Sequence, residues 1–175
     1  MLRLVRLRLA CGPLSKPDAT IQLAPITEAE ALEVALWRYD PPYAFYNGSE
    51  AEVAVMLDSA NRYRAVHVKG EFVGYVCAGP DARVAGQEPD ADIDDLGWGF
   101  RPDLTGRRLA SRWLPAVLAL LADELTAPRQ RVVIVAWNER SQAVARRLGF
   151  GGSVSHTGGG VEWVVMMRQR PAGAQ

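Results

Sequence analysis

A short turn in the sequence, RPDLTGRRLASR, combines backbone freedom with a cluster of arginines. Pro102 fixes its own φ and keeps the residue before it extended, so a strand should end there. Gly106 has no Cβ, which lets a ligand approach the backbone closely. Arg107, Arg108 and Arg112 carry guanidinium groups that stay protonated. These residue types at this spacing suit the binding of a phosphate group.

The same turn leads into a helix, whose first N–H groups are unpaired and carry a partial positive charge. Asp103 and Thr105 are typical turn or N-cap residues, and we expect their side-chain oxygens to accept an N–H of the first helical turn. An ordinary strand-to-helix connection with arginines on a solvated face is the alternative. The turn alone does not decide between the two interpretations.

Three acidic residues lie close together before the turn, at Asp92, Asp94 and Asp95. Neighbouring carboxylates raise one another's pKa, which can prepare one of them to act as a general base. We therefore take Asp94 and Asp95 as candidate catalytic residues. A solvated acidic loop is the alternative.

Aromatic side chains are concentrated in the segment PPYAFYN, between two predicted helices. Tyr43, Phe45 and Tyr46 could line a pocket for a substrate. They could equally fill the space beneath the loop, because aromatic side chains supply much of the buried area of a protein core.

Hydrophobic periodicity predicts the elements that hold these candidates. Apolar residues at four-residue steps predict an amphipathic helix of about five turns from Leu109 to Leu125, with a kink at Pro115. Before it, a strand should end at Phe100. We expect that strand to lie parallel to a second one at Val132–Ala136, with the ligand crevice at their carboxyl ends, since each is followed by a helix.

Other segments show strand and helix patterns of their own. Alternating residues predict a first strand from Ile21 and a hairpin at residues 63–77 with its turn at Lys69–Gly70. A second hairpin is predicted at residues 154–167. Thr27 and Glu30 have the spacing of a capping box, which predicts the start of a helix.

Composition places the chain among globular proteins, with 49% hydrophobic and 23% charged residues over 175 positions. Lys plus Arg and Asp plus Glu each number 20, so net charge favours neither nucleic acid nor a membrane surface as partner. Cys11 and Cys77 are too few for a disulfide framework, which favours a reducing, cytoplasmic location. No metal-ligand spacing is present, and we expect no metal cofactor.

The first residues, MLRLVRLRLACG, do not fit a signal peptide, because arginines interrupt the apolar region. The next segment, GPLSKPDA, is typical of a linker. We expect a flexible N-terminal extension over residues 1–19, a single domain over residues 20–170, and a tail over residues 171–175.

A second block, VVIVAWNERSQAVARRLGF at residues 132–150, completes a recognisable order of strand, amide-rich turn, helix, strand and helix. With the turn, it resembles the GNAT superfamily of acyl-CoA-dependent N-acetyltransferases, which carries Q/R-x-x-G-x-G/A at the turn and commonly ends the second block in Y-x-K/R-x-G-F. Here Thr105 replaces the usual Gln or Arg, and Arg108 replaces a usual glycine. Ala145 stands where many members carry a tyrosine that protonates the departing thiolate.

The resemblance implies a single α/β (α+β) domain. Its mixed, mostly antiparallel sheet would have six to seven strands, with one splayed parallel pair and about four flanking helices. It implies acetyl-CoA as cosubstrate. The residues that would bind this cosubstrate are Phe100, Thr105, Gly106, Arg107, Arg108, Leu109, Ala110, Asn138 and Ser141. In the family an acid on the central strand often deprotonates the amine, so the resemblance gives Asp94 and Asp95 the role of general base.

The leading functional prediction is transfer of an acetyl group from acetyl-CoA to a primary amine of a small molecule or peptide. A second is a GNAT-fold protein that binds acyl-CoA without turnover, motivated by Arg108 and Ala145. A third is an interaction module: the terminal strand VEWVVMM is apolar on both faces, which indicates burial or contact with a partner, including a second copy in a homodimer.

Overall fold

The computed structural model describes residues 21–171. The predicted N-terminal extension lies outside these residues, as does nearly all of the predicted tail. Seven strands form one sheet: β1 (Ile21–Pro25), β2 (Arg64–Val68), β3 (Glu71–Ala78), β4 (Ile93–Phe100), β5 (Arg129–Val135), β6 (Gly151–Gly158) and β7 (Val161–Gln169). Four α-helices accompany it: α1 (Glu28–Ala35), α2 (Ala51–Leu57), α3 (Leu109–Leu120) and α4 (Glu139–Arg147).

The strand order in the sheet is β1-β2-β3-β4-β5-β7-β6. Only β4 and β5 run parallel, and every other neighbouring pair is antiparallel. This arrangement confirms the predicted mixed, mostly antiparallel sheet with one parallel pair, and both predicted hairpins are present. Each parallel strand leads into a helix, as α3 follows β4 and α4 follows β5.

The parallel pair separates part of the way along its length. Residues Ile93–Leu96 of β4 pair with Arg129–Val132 of β5. Beyond that point β4 pairs with β3 alone, and β5 pairs with β7 alone. The predicted splay therefore begins after Leu96 and Val132.

Local sequence rules explain the helix starts and ends. Thr27 caps α1 in the predicted capping box, with its side chain accepting the N–H of Glu30 and the Glu30 carboxylate accepting the N–H of Thr27. Helix α3 is shorter than predicted, because the chain tightens into a 3₁₀ turn at Ala122–Glu124 instead of continuing to Leu125. It runs through Pro115 as one element, and the expected kink there stays a prediction.

The main core lies between α3 and the sheet. Leu114, Val117 and Leu121 are fully buried against β3, β4 and β5 residues such as Val76 and Leu96. A second cluster lies beneath α1 and α2, around Trp37 and Met56. The stripe predicted from the sequence therefore faces the sheet, which fixes α3 relative to the gap between β4 and β5.

The terminal strand β7 lies between β5 and β6 and pairs with both. Both of its hydrogen-bonding edges are therefore used within the sheet and are not available to a partner. Within residues 21–171, no helix has the length and apolar character that crossing a membrane requires.

Two leucines of α3 test this packing. We expect Leu114→Ala to lower the free energy of unfolding by about 2–5 kcal/mol, because Leu114 has 0% exposure and its truncation leaves a cavity. Leu120→Ala is the matched control, since Leu120 is 52% exposed on the same helix, and we expect a change of roughly 0.5 kcal/mol or less. Urea denaturation measures both. Equal losses in the two variants would contradict the orientation of α3.

Candidate functional site

A cleft of about 840 Å³ opens where β4 and β5 separate. Residues Leu96–Phe100 of β4 line one side, and Val132–Ile134 of β5 line the other. Because neither strand has a neighbour across the gap, strand amides that face it are available to a ligand. The cleft continues past the starts of α3 and α4 to the aromatic loop after α1.

The turn after β4 leads directly to the start of α3. Thr105 does not cap the helix as we expected: its N–H and its hydroxyl both donate to the Pro102 carbonyl, at 3.1 and 2.8 Å. Asp103 instead accepts from the Arg101 guanidinium, which lowers the pKa of that carboxyl. Neither side-chain oxygen accepts an N–H group of the first helical turn, so the predicted N-cap role of both residues was wrong.

The N–H groups at the start of α3 are consequently left for a ligand. Among the described residues, no turn or cap hydrogen bond takes up the N–H of Gly106, Arg107 or Arg108. Leu109 and Ala110 open α3, where N–H groups have no partner within the helix. The turn thus keeps its N–H donors unpaired from Gly106 onward, whereas the N–H of Thr105 is already used.

Backbone angles explain why small residues suit this turn. Gly106 has a φ of +74°, and a Cβ there would meet no heavy atom within 4 Å. Arg108 precedes α3 with φ 61° and ψ 14°, in the left-handed region. That conformation strains a residue with a side chain by about 1 kcal/mol, which accounts physically for a preference for glycine at this position.

The cleft brings together most of the predicted cofactor residues: Phe100, Thr105, Gly106, Arg108, Leu109, Ala110, Asn138 and Ser141. Arg107 is not among the lining residues. Three further cations contribute to the lining: Arg83 of the β3–β4 connection, and Arg140 and Arg147 of α4. Arg147 donates to the Ser111 hydroxyl at 3.1 Å, and Arg140 lies over the Tyr43 ring. That these residues bind a cofactor stays a prediction.

Asn138 connects α4 to the aromatic loop. Its Oδ1 accepts the N–H of Ser141 at 3.0 Å and so caps α4. Its Nδ2 donates to the Tyr46 hydroxyl at 2.9 Å. Burial raises the pKa of Tyr46, although hydrogen bonds from Asn138 and the Val135 backbone oppose the shift. Asn138 is 6% exposed, so this amide is held in place at the carboxyl end of β5.

The aromatic loop lines the cleft rather than lying beneath it. Tyr43, Phe45 and Tyr46 all contribute to the lining, and the last two are exposed. Their rings contact Trp137 after β5, and Phe45 also contacts Trp163 of β7 in an edge-to-face arrangement. Of the two interpretations left open by the sequence, the structure therefore favours a substrate-facing loop.

Asp94 and Asp95 point away from this cleft and into ion pairs. Asp94 accepts the N–H of Ala127 at 3.0 Å and faces Arg62 at 3.5 Å. Asp95 binds both Arg131, at 2.6 Å, and Arg83, at 3.1 Å. Both aspartates lie in the half of β4 that still pairs with β5, are 6% and 4% exposed, and do not line the cleft.

The expected cluster of mutually repelling acids is thus absent at these two residues, because each carboxylate is compensated by arginine. The assignment of Asp94 or Asp95 as general base stays a prediction, and the geometry supplies alternative candidates for the base. Of the described residues, the carboxylates that line the cleft belong to Asp81 and Glu52.

Asp81 was not singled out from the sequence, where it falls in a polar loop with no periodic pattern. It begins the β3–β4 connection beside Cys77 and β4. Its carboxylate accepts a hydrogen bond from the Tyr63 hydroxyl, and its N–H donates to Asn61 at 3.0 Å. The side chain is exposed.

Ala145 lies in the core and not on the cleft. It is fully buried among the residues packed between α4 and the sheet, and its carbonyl accepts the N–H of Phe150. Val144, its neighbour in α4, lines the cleft instead. A tyrosine at position 145 would overpack the core unless the helix moved.

The comparisons with known proteins agree with this architecture. Residues 20–151 match the model of a family described as an acetyltransferase (GNAT) domain. No curated protein sequence matches the chain.

Solved acetyltransferases share the fold at low sequence identity. The aminoglycoside acetyltransferase AAC(6′)-Ib in complex with coenzyme A is 16% identical, with a TM-score of 0.67 over 86% of this chain and 95% of that one. RimL, a ribosomal L7/L12 alpha-N-protein acetyltransferase in complex with coenzyme A, is 16% identical, with a TM-score of 0.62 over 88% and 96%. The ribosomal-protein-S5-alanine acetyltransferase from Vibrio fischeri is 16% identical, with a TM-score of 0.58 over 87% and 94%.

The family match covers well over half of the chain. The chain belongs to the GNAT acetyltransferase family.

Proposed function

We propose that this protein transfers an acetyl group from acetyl-CoA to a primary amine of a small molecule or peptide in the cytoplasm. The observation that carries the proposal is the gap between β4 and β5, which ends at a helix start with unpaired N–H groups and arginine. Such a site fits an extended ligand with a diphosphate at one end. Relatives of the same fold were solved with coenzyme A, which supports the choice of ligand.

The charged residues of the cleft belong to different elements. Arg108 and Arg147 lie at the start of α3 and on α4, where the diphosphate of acetyl-CoA would bind, whereas Arg140 lies over the Tyr43 ring and Arg83 follows the turn that contains Asp81. Glu52 and Asp81 lie on the other side, with the aromatic loop. A protonated amine is attracted to carboxylates and to aromatic faces, so we place the acceptor there. Kanamycin and ribosomal-protein amines are informative probes because they match the acceptors named for structural relatives.

In the proposed reaction the neutral amine attacks the thioester carbonyl carbon. A base accepts the proton of the amine, and backbone N–H groups of β4 stabilise the oxyanion. We propose Asp81 as that base, because its carboxylate lines the cleft and is accessible from the acceptor side. Holding both reactants in one cleft supplies a further part of the rate acceleration.

Binding of coenzyme A tests the location of the cofactor. We expect Gly106→Trp to lower the affinity for coenzyme A at least about 100-fold in isothermal titration, because the indole would occupy the space above the unpaired N–H groups. Gly70→Trp is the matched control, since Gly70 also has a positive φ and open space around it but lies in the β2–β3 turn. Unchanged affinity in the Gly106 variant would show that the turn does not hold the diphosphate.

Turnover distinguishes an enzyme from a protein that only binds acyl-CoA. Acetyl-CoA should release thiol with at least one amine from a panel of kanamycin, ribostamycin, spermidine and peptides with a free N-terminus. Binding of coenzyme A without thiol release across the whole panel would favour the non-catalytic alternative.

Two aspartate substitutions separate the candidates for the base. We expect Asp81→Asn to lower kcat by roughly 100-fold or more with little change in thermal stability, because an amide cannot accept the proton. Asp94→Asn should instead lower the free energy of unfolding by roughly 1–3 kcal/mol, because the neutral amide loses the ion pair with Arg62, with kcat largely retained. Steady-state kinetics and thermal denaturation measure both variants. The reverse pattern would return the role of base to Asp94.

The reactivity of the Cys77 thiol determines whether the protein itself contributes to a thiol-release assay. Burial raises the pKa of its thiol to about 12, and the thiolate is the reactive form. In a Cys11→Ser background we expect Cys77 to react with an aromatic disulfide reagent at least about 100-fold more slowly in the native protein than in urea. Stopped-flow absorbance measures the two rates, and equal rates would show that the thiol is accessible in the folded protein.

A further inference from the structure

Two arginines share one buried carboxylate beside the cleft. The Asp95 side chain, 3% exposed, accepts from Nε of Arg131 at 2.6 Å and from its Nη2 at 3.1 Å. Nη1 of Arg83 donates to the same carboxylate at 3.1 Å. Within residues 21–171, neither arginine forms an ion pair with another carboxylate. Because guanidinium groups stay protonated, the cluster of Arg83, Arg131 and Asp95 carries one excess positive charge.

This excess charge reaches the cleft through Arg83. Arg83 lines the cleft, whereas Arg131 does not. A guanidinium group has five N–H bonds. Among the residues that the structure describes, the Arg83 side chain makes a single hydrogen bond, the one to Asp95. A buried carboxylate thus holds the side chain in place, while its remaining N–H groups are available to a ligand.

Arg83 lies at the closed end of the gap between β4 and β5. The 3₁₀ turn before it packs on β4, since Ala82 Cβ is 3.8 Å from the position that a Cβ on Gly97 would take. Gly97 is the first residue of β4 beyond the segment paired with β5, and Asp95 precedes it on the same face of the strand. Arg83 is therefore fixed where the gap begins, two residues along the chain from Asp81.

The side of the cleft assigned to the acceptor carries charges of both signs. Its carboxylates belong to Glu52 and Asp81, and its cations are Arg83 and Arg140, which lies over the Tyr43 ring. A polycationic acceptor would be attracted by two of these groups and repelled by the other two. A zwitterion fits better, because its ammonium group can face a carboxylate while its own carboxylate binds a guanidinium group.

Apolar side chains also line the cleft near the aromatic loop. Val84, Val133 and Trp163 belong to this lining, and the Phe45 and Trp163 rings meet edge to face with centroids 5.9 Å apart. Nε1 of Trp163 donates to the Gly158 carbonyl at 3.0 Å, so the indole is held in place and needs no polar partner from a ligand. An apolar group on the acceptor would lose contact with water against these side chains.

We propose that the acceptor is a free α-amino acid with an apolar side chain, and that Arg83 binds its carboxylate. This inference rests on the acetyl transfer proposed above and names the acceptor of that site. The amine of the amino acid faces Asp81, its carboxylate binds Arg83, and its side chain lies among the apolar residues of the cleft.

The reaction balances without a further reactant. The neutral amine nitrogen of the amino acid forms a bond to the carbonyl carbon of acetyl-CoA and loses one proton to the base. The bond from that carbon to sulfur breaks, and its electron pair stays on sulfur. Solvent carries the proton from the base to the thiolate, so the products are an N-acetyl amino acid and coenzyme A.

Pairs of acceptors that differ only in the carboxylate test this assignment. L-phenylalanine and L-leucine are compared with phenethylamine and isopentylamine, their decarboxylated counterparts, by thiol release from acetyl-CoA. We expect kcat/KM to be roughly 10- to 100-fold higher for the better amino acid than for its amine, as for one hydrogen-bonded charge. Kanamycin should react more slowly than the amino acids, because Arg83 and Arg140 repel a polycation.

Arg83→Gln should remove the preference for the carboxylate. We expect the ratio of kcat/KM for the amino acid to that for its amine to fall roughly 10- to 100-fold, chiefly through KM, and the intrinsic basicity of each amine cancels in this comparison. Asp95 keeps both bonds to Arg131 in this variant. Arg129→Gln is the matched control, since Arg129 pairs with Asp90 at 3.2 Å outside the cleft and should leave the ratio within about twofold.

Isothermal titration provides a readout that needs no turnover. L-phenylalanine and L-leucine are titrated into the protein saturated with coenzyme A. We expect Arg83→Gln to weaken the binding of the better amino acid roughly 10- to 100-fold, and Arg129→Gln to leave it within about twofold.

The outcomes separate this inference from the acetyl transfer on which it rests. Thiol release with kanamycin or a peptide but with neither amino acid, or a ratio unchanged by Arg83→Gln, would overturn the amino acid assignment alone. Amino acid binding that depends on Arg83, without thiol release from any amine, would uphold the carboxylate site and overturn the acetyl transfer. Neither amino acid binding nor thiol release from any amine would overturn both.

Discussion

The pairing between β4 and β5 stops after Leu96 and Val132, and the rest of the site depends on that interruption. A parallel pair that continued to the ends of both strands would satisfy its N–H and C=O groups internally and leave no cleft. The strands can separate because each keeps a partner on its outer side, β3 for β4 and β7 for β5. The backbone N–H and C=O groups that face the gap can thus stay unpaired while the sheet remains continuous on both sides of it.

The charges that flank the gap follow from which elements border it. The starts of α3 and α4 bring backbone N–H groups, Arg108 and the arginines of α4 to one side, where a helix start already favours anions. The aromatic loop, α2 and the β3–β4 connection bring carboxylates, ring faces and Arg83 to the other. Asp94 and Asp95 do not contribute to either side, because Arg62, Arg83 and Arg131 hold them below the point where the strands separate.

The sequence was a good guide to the elements and a weaker one to the side chains. Four-residue apolar steps placed α3, alternation placed both hairpins, and the Thr27–Glu30 spacing placed the start of α1. These are local patterns, and the structure agrees with them because tertiary packing uses the same residues. The turn at Gly106 could also be recognised, since its neighbours along the chain carry the motif.

Contacts between distant segments could not be read in this way. Asp94 and Asp95 appeared to be candidate bases because adjacent acids suggest repulsion, yet their arginine partners come from residues 62, 83 and 131. Ala145 appeared to face the cleft, and only the rotation of α4 shows that Val144 does. Asp81 was missed since its loop gives no periodic pattern.

Tyr46 shows how two separated segments can determine one hydrogen bond. The Ser141 N–H fixes the Asn138 amide, and the NH₂ of that amide donates to the Tyr46 oxygen. Each step is a rule of donor and acceptor valence, and no single step involves a contact that composition or periodicity reveals. Because the same Asn138 that caps α4 also orients the hydroxyl, the start of the helix and the β5 side of the gap are coupled through one side chain. A substitution at Asn138 would therefore disturb the helix cap and the cleft together.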